Sequence, residues 1–436
     1  MDIIMRISRI YCWVFLILLS SCSVKKNIQS TTITPTITPA VNTNPYNAVL
    51  LLNDSALATA HIGIALYDAE NNNYLYQYQS NKYFIPASNT KIMTCYAAMK
   101  YLGDSLEGIK YNNNKDGSIT IKGTGDPTFL HPSFKKQRVY NFLTKQREII
   151  YCDNSANWQF NPFGKGWTND DYYEDYMNER SAFPVYGNNR KIYTKLDTAV
   201  YFNYPSQNKK DIYAGSTGLR TKINYLLTDT SAIEFPYYII LLVDTLGKND
   251  FQISDCSAGN LSKTIYSLPT DTVLQYMMHN SDNFFAEQLL LMVSNNQLGM
   301  MNDTRMFDTL LATDFNNFPQ KPRWADACGL SRYNLFTPED IVYVLGKIKK
   351  EFKQERINAI FPAGNQGTLK GYYTNYSDNI LAKTGSMSGV FCISGYLTTK
   401  LNKHLIFSVM VNNHQAKGES LRRKIEAYLS KVMEEN

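Results

Sequence analysis

A chain of 436 residues with 44% hydrophobic and 19% charged residues is long enough for two or three domains and a sizeable buried core. Those fractions exclude a disordered chain and one built mainly of membrane spans. The net charge of +6 is mild over this length; a solvated surface accounts for it, and no nucleic-acid partner is expected.

The first segment is a targeting signal. Arg6 and Arg9 form a basic stretch, and the apolar run from Tyr11 to Leu19 is too short to cross a bilayer. Leu19-Ser20-Ser21-Cys22 resembles the lipobox of bacterial lipoproteins, in which the cysteine is lipidated and becomes the new N-terminus. That resemblance makes residues 1–21 a signal peptide and Cys22 the lipidation site. It places the protein in the cell envelope, on the periplasmic face, anchored to a membrane through lipid. A plain secretory signal with an incidental cysteine is the other reading. Residues 22–45, rich in Ser, Thr, Pro and Asn, cannot bury apolar area and read as a flexible tether.

Beyond the tether, residues 58–80 alternate apolar and polar on either side of Asn71-Asn72-Asn73, which predicts a β-hairpin. Pro86-Ala87-Ser88-Asn89-Thr90-Lys91 follows. Ile92, Cys95, Met99 and Leu102 then recur at helical spacing before Gly103, a helix stop. A helix beginning near Ser88 sets Ser88 and Lys91 i,i+3 on one face. Ser88 then lies where free N–H groups and the helix dipole favour developing negative charge. A serine hydroxyl becomes a good nucleophile when a neighbouring base takes its proton, and a buried lysine can be that base. Ser-x-x-Lys is a weak motif alone: Ser23/Lys26, Ser133/Lys136 and Ser206/Lys209 repeat it, but without a periodic apolar helix behind the serine.

From about 105 to 257 the pattern changes to short strands rich in Asn, Asp and Gly, with Ile119-Thr120-Ile121 and Tyr237 to Val243 as strands. This predicts a β-rich insertion over 109–257, divided near 188. Helical periodicity returns at Val273 to Met278 and Phe285 to Val293, and another helix starts at Pro338 with Thr337 as its N-cap. Strands at Ile380 to Lys383, Phe391 to Leu397 and Leu405 to Val411 form a meander. An amphipathic helix with Leu421, Ile425, Leu429 and Val432 closes the chain. The fold class is α/β in the multi-domain α+β sense. Residues 46–108 and 258–436 form a catalytic domain whose antiparallel sheet is flanked by helices and interrupted by the insertion.

Cys95, Cys152, Cys256, Cys328 and Cys392 remain once Cys12 and Cys22 are set aside. Their odd number and wide spacing predict neither a disulfide framework nor a zinc site. The five histidines show no ligand spacing, so no metal and no cofactor is expected.

Two more stretches carry chemistry. Lys383-Thr384-Gly385 ends a predicted strand, with a fixed charge, a hydroxyl for a carboxylate, and a glycine that lets a ligand approach; an edge-strand lysine that deters aggregation fits the same position. Ser-Asp-Asn occurs at 281–283 and 377–379. Ser377 lies six residues before Lys383 in the same run, about 20 Å away if extended at ~3.3 Å per residue. Ser281, between two predicted helices, can instead turn with Asn283 toward a shared cleft.

Ser88/Lys91, Ser281/Asn283 and Lys383/Thr384/Gly385, in that order, are similar to the three motifs of the penicillin-recognising serine enzymes, the D,D-peptidases and serine β-lactamases. More narrowly, the chain resembles the class C low-molecular-mass penicillin-binding proteins, the D-alanyl-D-alanine carboxypeptidase/endopeptidase family. Four further blocks carry that resemblance. They are Gly123 to Thr128; Gly166-Trp167 with Asp170, Asp171 and Ser181-Ala182; Asp326 to Asn334; and Gly367-Thr368-Leu369 ahead of Lys383 to Gly389. The gap of 193 positions between Ser88 and Ser281 also fits, whereas β-lactamases keep it short. Ala327 and Cys328 stand where the family usually has Gly and Ser.

The resemblance implies a β-lactamase/transpeptidase-like domain acting on peptidoglycan stem peptides through an acyl-enzyme on Ser88, with β-lactams as covalent inhibitors. Lys91 is implied as base and Ser281 as proton relay, with Asn283 on the substrate amide. Lys383 and Thr384 take the terminal carboxylate beside Gly385, and the Ser88 and Ser386 N–H groups hold the oxyanion. Asp170, Met387 and Arg332 are implied to line a pocket for the diaminopimelate side chain; a loop or helix-cap role fits Asp170 too. A β-lactamase or esterase with the same centre, and a non-catalytic cell-wall-binding protein, remain as alternatives.

Overall fold

A computed structural model describes residues 44–153, 158–172, 174–188, 191–193, 199–201, 242–243, 245–247, 251–255 and 261–435. The targeting segment, Cys22 and the tether up to Thr43 lie outside the described residues, as do Cys256 and most of 202–250. No helix among the described residues is long and apolar enough to cross a membrane.

The elements in order are α1 (Val49–Leu52), β1 (His61–Asp68), β2 (Asn73–Tyr78) and α2 (Lys91–Tyr101), the last entered through a 3-10 turn, Ala87–Thr90. Then come β3 (Ser105–Asn113), β4 (Ile119–Gly123), α3 (Arg138–Leu143), β5 (Ile149–Asp153), β6 (Lys191–Tyr193), β7 (Ala199–Tyr201), β8 (Phe251–Asp255) and β9 (Lys263–Pro269). Helices α4 (Thr270–Asn280), α5 (Asn283–Leu298), α6 (Asp303–Ala312), α7 (Pro338–Glu351) and α8 (Gln354–Ile360) follow. The chain ends with β10 (Ile380–Met387), β11 (Val390–Thr398), β12 (His404–Asn412) and α9 (Gly418–Glu434).

The main sheet has the order β10-β11-β12-β1-β2. All its pairs are antiparallel, so the first hairpin and the last three strands meet at β1/β12, with His61 opposite Asn412. Both faces are covered, which is why β11 and β12 read as nearly unbroken apolar runs rather than alternating ones. One face, with Ile64, Phe391, Ile393 and Val409, packs on Leu421, Ile425 and Leu429 of α9. The other, with Ala65, Cys392, Ile406 and Met410, meets the central layer of α2, α4, α5 and α7. Strand β10 is an edge, and its Lys383-Thr384-Gly385 faces a cleft rather than another strand.

A second, mixed sheet runs β8-β5-β4-β3-β9, with β5 parallel to both neighbours. Its core holds Ile109, Ile121, Ile149, Tyr151, Phe183 and Phe251. The sheet starts at Ser105 and returns at Pro269, immediately before α4.

Three differences from the sequence reading have physical reasons. Leu242 and Val243, expected in a strand, are helical, and the rest of that stretch lies outside the described residues; a short apolar run cannot tell strand from buried helix. Cys152 is disulfide-bonded although wide spacing predicted no such framework; Cys95, Cys328 and Cys392 are free and buried. Helices α6 and α8, of 10 and 7 residues, are additional to the expected elements, because so short a helix holds few apolar repeats. Even so, α6 carries an N-cap, Asn302, and buries Met306, Phe307 and Leu310 at helical spacing.

Helix α7 shows how locally the chain is specified. Thr337 accepts from the Asp340 N–H, and the Asp340 carboxylate accepts from the Thr337 N–H, a complete capping box with Pro338 in the first turn. Thr337→Ala is expected to lower stability by ~1 kcal/mol, read as a lower midpoint of thermal unfolding with the far-UV circular dichroism of the folded state unchanged.

Candidate active site

The turn Ala87–Thr90 delivers Ser88 in a constrained position. Ala87 has φ +46°, and its carbonyl accepts from the Thr90 hydroxyl at 2.9 Å. Asn89 is buried and donates to Ser394 Oγ at 2.8 Å, tying the turn to β11. Two glycines let other backbones approach. A Cβ on Gly385 would lie 2.7 Å from both the Ser88 nitrogen and the Pro86 carbonyl oxygen, and one on Gly329 (φ +88°) 1.8 Å from the Ala87 oxygen. Edge strand β10 therefore runs against the start of the helix, with the Ser88 N–H at the contact.

Lys91 Nζ lies 2.9 Å from Ser88 Oγ, 2.6 Å from Asn283 Oδ1 and 2.7 Å from the Cys328 carbonyl oxygen. Its side chain is fully buried, which lowers its proton affinity; the carboxylates of Asp326, Asp282 and Glu287 nearby work in the opposite sense. The Asn283 amide is oriented by its other end, since Nδ2 donates to the Tyr176 carbonyl at 3.0 Å. Asn283 opens α5, capped by Asp282, whose carboxylate accepts from the Phe285 N–H. Ser281 joins α4 to α5 in a left-handed conformation (φ +55°), which turns its side chain away from both helices.

Ser281 Oγ accepts from Lys383 Nζ at 2.8 Å, and Nζ also reaches the Thr384 carbonyl at 2.6 Å. Lys383 is as buried as Lys91. Burial, then the charges of Lys91 and Arg422, hold it well below the ordinary lysine range. Thr384 Oγ1 lies 2.7 Å from Thr368 Oγ1. Ser377, by contrast, lies in a separate turn, Thr374–Asn379, where its carbonyl accepts from the Gly364 N–H.

A cavity of about 600 Å³ opens over this cluster, lined in part by Ser88, Ser281, Asn283, Ser386, Asp170 and Tyr176. Met387 and Arg332 also line it, and Arg332 donates to the Ser388 carbonyl at 2.8 Å. Asp170 is exposed in the 3-10 turn Asn169–Asp171, with its N–H on the Thr168 hydroxyl. Several participants were not singled out from the sequence: the Cys328 carbonyl, Tyr176, Thr368, and Arg422, which donates to Ser386 Oγ at 3.0 Å. Two of these act through main-chain atoms, which residue identity does not reveal. Thr368 belongs to the Gly367-Thr368-Leu369 stretch, to which the sequence alone assigned no role.

An antiparallel sheet with helices on both faces, a serine–lysine pair at the head of the central helix, and a lysine-bearing edge strand define the β-lactamase/transpeptidase class of fold. Within it, the chain belongs to the D-Ala-D-Ala carboxypeptidase 3 (S13) family, whose model matches residues 48–210 and 252–432. D-alanyl-D-alanine carboxypeptidase DacB of Haemophilus influenzae is 25% identical over 417 residues, 81% of this chain and 86% of that protein. The crystal structure of penicillin binding protein 4 (dacB) from the same organism shares the fold with a TM-score of 0.65 at 18% identity, covering 89% of this chain and 100% of the other. A predatory endopeptidase of Bdellovibrio bacteriovorus shares it at 0.52 and 16%, covering 86% and 93%. The enzyme is a serine-type D-Ala-D-Ala carboxypeptidase.

The close approach at Gly385 supplies a test of the geometry. Gly385→Ala is expected to push β10 off the Ser88 nitrogen and lower the rate of D-Ala release ~10²-fold. Thermal unfolding should change little, because the displaced strand is an edge. A wild-type rate would show that β10 does not set the site.

Proposed function

We propose that the enzyme cleaves the peptide bond between the two terminal D-alanines of a peptidoglycan stem peptide, through an acyl-enzyme on Ser88. The observation that carries this reading is the set of three oxygens around Lys91. A neutral amine has two N–H groups and one lone pair. If it donates to Asn283 Oδ1 and the Cys328 carbonyl, the lone pair is left facing the Ser88 hydroxyl, the arrangement a general base needs.

Ser88 Oγ attacks the carbonyl carbon as its proton passes to Lys91, and the Ser88 and Ser386 N–H groups take the developing oxyanion. The C–N bond then breaks while Ser281, beside Lys383, relays to the departing D-Ala nitrogen the proton that Lys91 took. With D-alanine gone, water gives a proton to the again neutral Lys91 and adds to the ester carbon. The bond from Ser88 Oγ to that carbon breaks, the shortened peptide leaves as its carboxylic acid, and Ser88 Oγ recovers the proton from Lys91. Lys383 and Thr384 hold the terminal carboxylate. Its arrival places a negative charge beside Lys383 and favours that ammonium, whose field in turn favours the neutral form of Lys91. Asn283 Nδ2 takes the substrate amide carbonyl in exchange for that of Tyr176. Asp170, Met387 and Arg332 form the wall that meets the diaminopimelate side chain. β-Lactams acylate the same serine. Cys22, lipidated, tethers the enzyme to a membrane on the periplasmic side, and residues 109–257 are an insertion into the catalytic domain.

Mass mapping after incubation with a reporter penicillin tests the centre: the adduct is expected on the peptide holding Ser88 and absent in Ser88→Ala. Release of D-Ala from a muropeptide, with slow β-lactam turnover, is the expected activity; rapid turnover would make it a β-lactamase instead, and no adduct at all a binding protein. The pH profile follows from burial. Lys91 must be neutral, so the rate rises with pH through its pKa; because burial lowers that pKa, the rise is expected below the ordinary lysine range. A rate still climbing at pH near a free lysine's pKa would remove Lys91 as the base.

A further inference from the structure

Helix α5 presents a second polar residue one turn beyond Asn283. Glu287 lies at i+4 on the same face and is fully buried. Its Oε1 accepts from two consecutive backbone groups, the Ala327 N–H at 2.8 Å and the Cys328 N–H at 2.9 Å. Its Oε2 accepts from Arg180 Nη1 at 3.0 Å. Arg180 is buried as well and is fully engaged. It donates to Asp303 at 2.6 Å, to the Asn161 carbonyl at 3.0 and 2.7 Å, and to the Phe163 carbonyl at 3.2 Å.

Burying two charges costs several kcal/mol per ion, and a buried pair is weak evidence for stability. The arrangement does something more specific. The two successive peptide units that Glu287 holds by their N–H groups lead directly into the Cys328–Gly329 unit, whose carbonyl meets Lys91 and whose N–H is taken by Asp326. Asp326 fixes the same loop from the other side, accepting from the Gly329 and Ser331 N–H groups, the Asn334 amide and the Trp167 indole. One helix thus bears on two of the three Lys91 contacts: Asn283 makes one directly, and Glu287 anchors the backbone that leads into the Cys328 carbonyl.

We infer that Glu287, held by Arg180, is a positioning residue for the general base: it sets where the Lys91 amine sits and part of the charge around it. The inference rests on Lys91 being the base. Arg180 belongs to the stretch between β5 and β6, so the pair also links that stretch to the reacting atoms. The ionisable groups facing Lys91 are Asp282 and Glu287 from α5, Asp326 and Cys328 from the loop, and Lys383 from β10. Those facing Glu287 are Arg180, Asp303, Asp326, Cys328 and Lys91 itself. Burial pushes the Glu287 carboxyl up to about 7, with Arg180 opposing.

The test is the pH dependence of acylation by a fluorescent penicillin, with the acylation step separated from non-covalent affinity. Glu287→Met leaves both N–H groups without an acceptor. It is expected to slow acylation ~10²-fold with affinity nearly unchanged. Glu287→Gln keeps an oxygen for the N–H pair and should retain most of the rate. Removing a negative charge near Lys91 lowers the amine's pKa, so its acid limb should move to lower pH. A Glu287→Met rate like the wild type, or a Glu287→Gln limb that stays in place, overturns the inference; the second measurement decides if the methionine variant does not fold. Ser88→Ala, run alongside, separates the two levels. Labelling that survives it refutes the reading of the centre, whereas a dead Ser88→Ala with an unmoved Glu287→Gln limb refutes only the role of Glu287.

Discussion

Two lysines with no exposed surface lie at the centre of the site, Lys91 at the Ser88 hydroxyl and Lys383 at the Ser281 hydroxyl, met otherwise by an amide oxygen and peptide carbonyls. The acids that could neutralise Lys91 are committed elsewhere: Asp282 caps α5, Asp326 gathers N–H groups, and Glu287 is paired with Arg180. Folding therefore holds an amine out of water, and that burial lowers its proton affinity. The central helix, the α4–α5 junction and the edge strand must each be placed within hydrogen-bond reach for this to work.

That requirement accounts for the unusual backbone. The turn before Ser88 carries Ala87 at positive φ, and Ser281 is left-handed between two helices. Both conformations are costly for residues with a Cβ and persist where the surroundings over-determine them. The covered main sheet supplies that rigidity, with Asn89, Ser394 and Ser408 linking the turn to β11 and through it to β12 by buried side-chain hydrogen bonds.

Much of this could be read from residue order. The hairpin, the Ser88 helix ending near Gly103, the Thr337 cap, the final meander and the closing helix follow from local periodicity and capping, which act over a few residues. The choice of Ser281 over Ser377 followed from chain reach alone. What could not be read is main-chain chemistry and pairing at a distance. The Cys328 and Tyr176 carbonyls carry no signal in their side chains, the Cys152 disulfide has no spacing rule, and Arg180 meets Glu287 across 107 positions. The mixed sheet was visible as β-rich character, but not in its strand order, because parallel neighbours such as β5 and β8 leave no turn between them.

The contact between Asn283 and the Tyr176 carbonyl has one further consequence. It occupies one of the two N–H groups on Nδ2. A carbonyl that displaced Tyr176 there would gain only the small difference between two similar hydrogen bonds, not the whole of either. At that N–H the contact is an alignment gauge more than a source of grip: it would reward only a carbonyl that lands where Tyr176 had been.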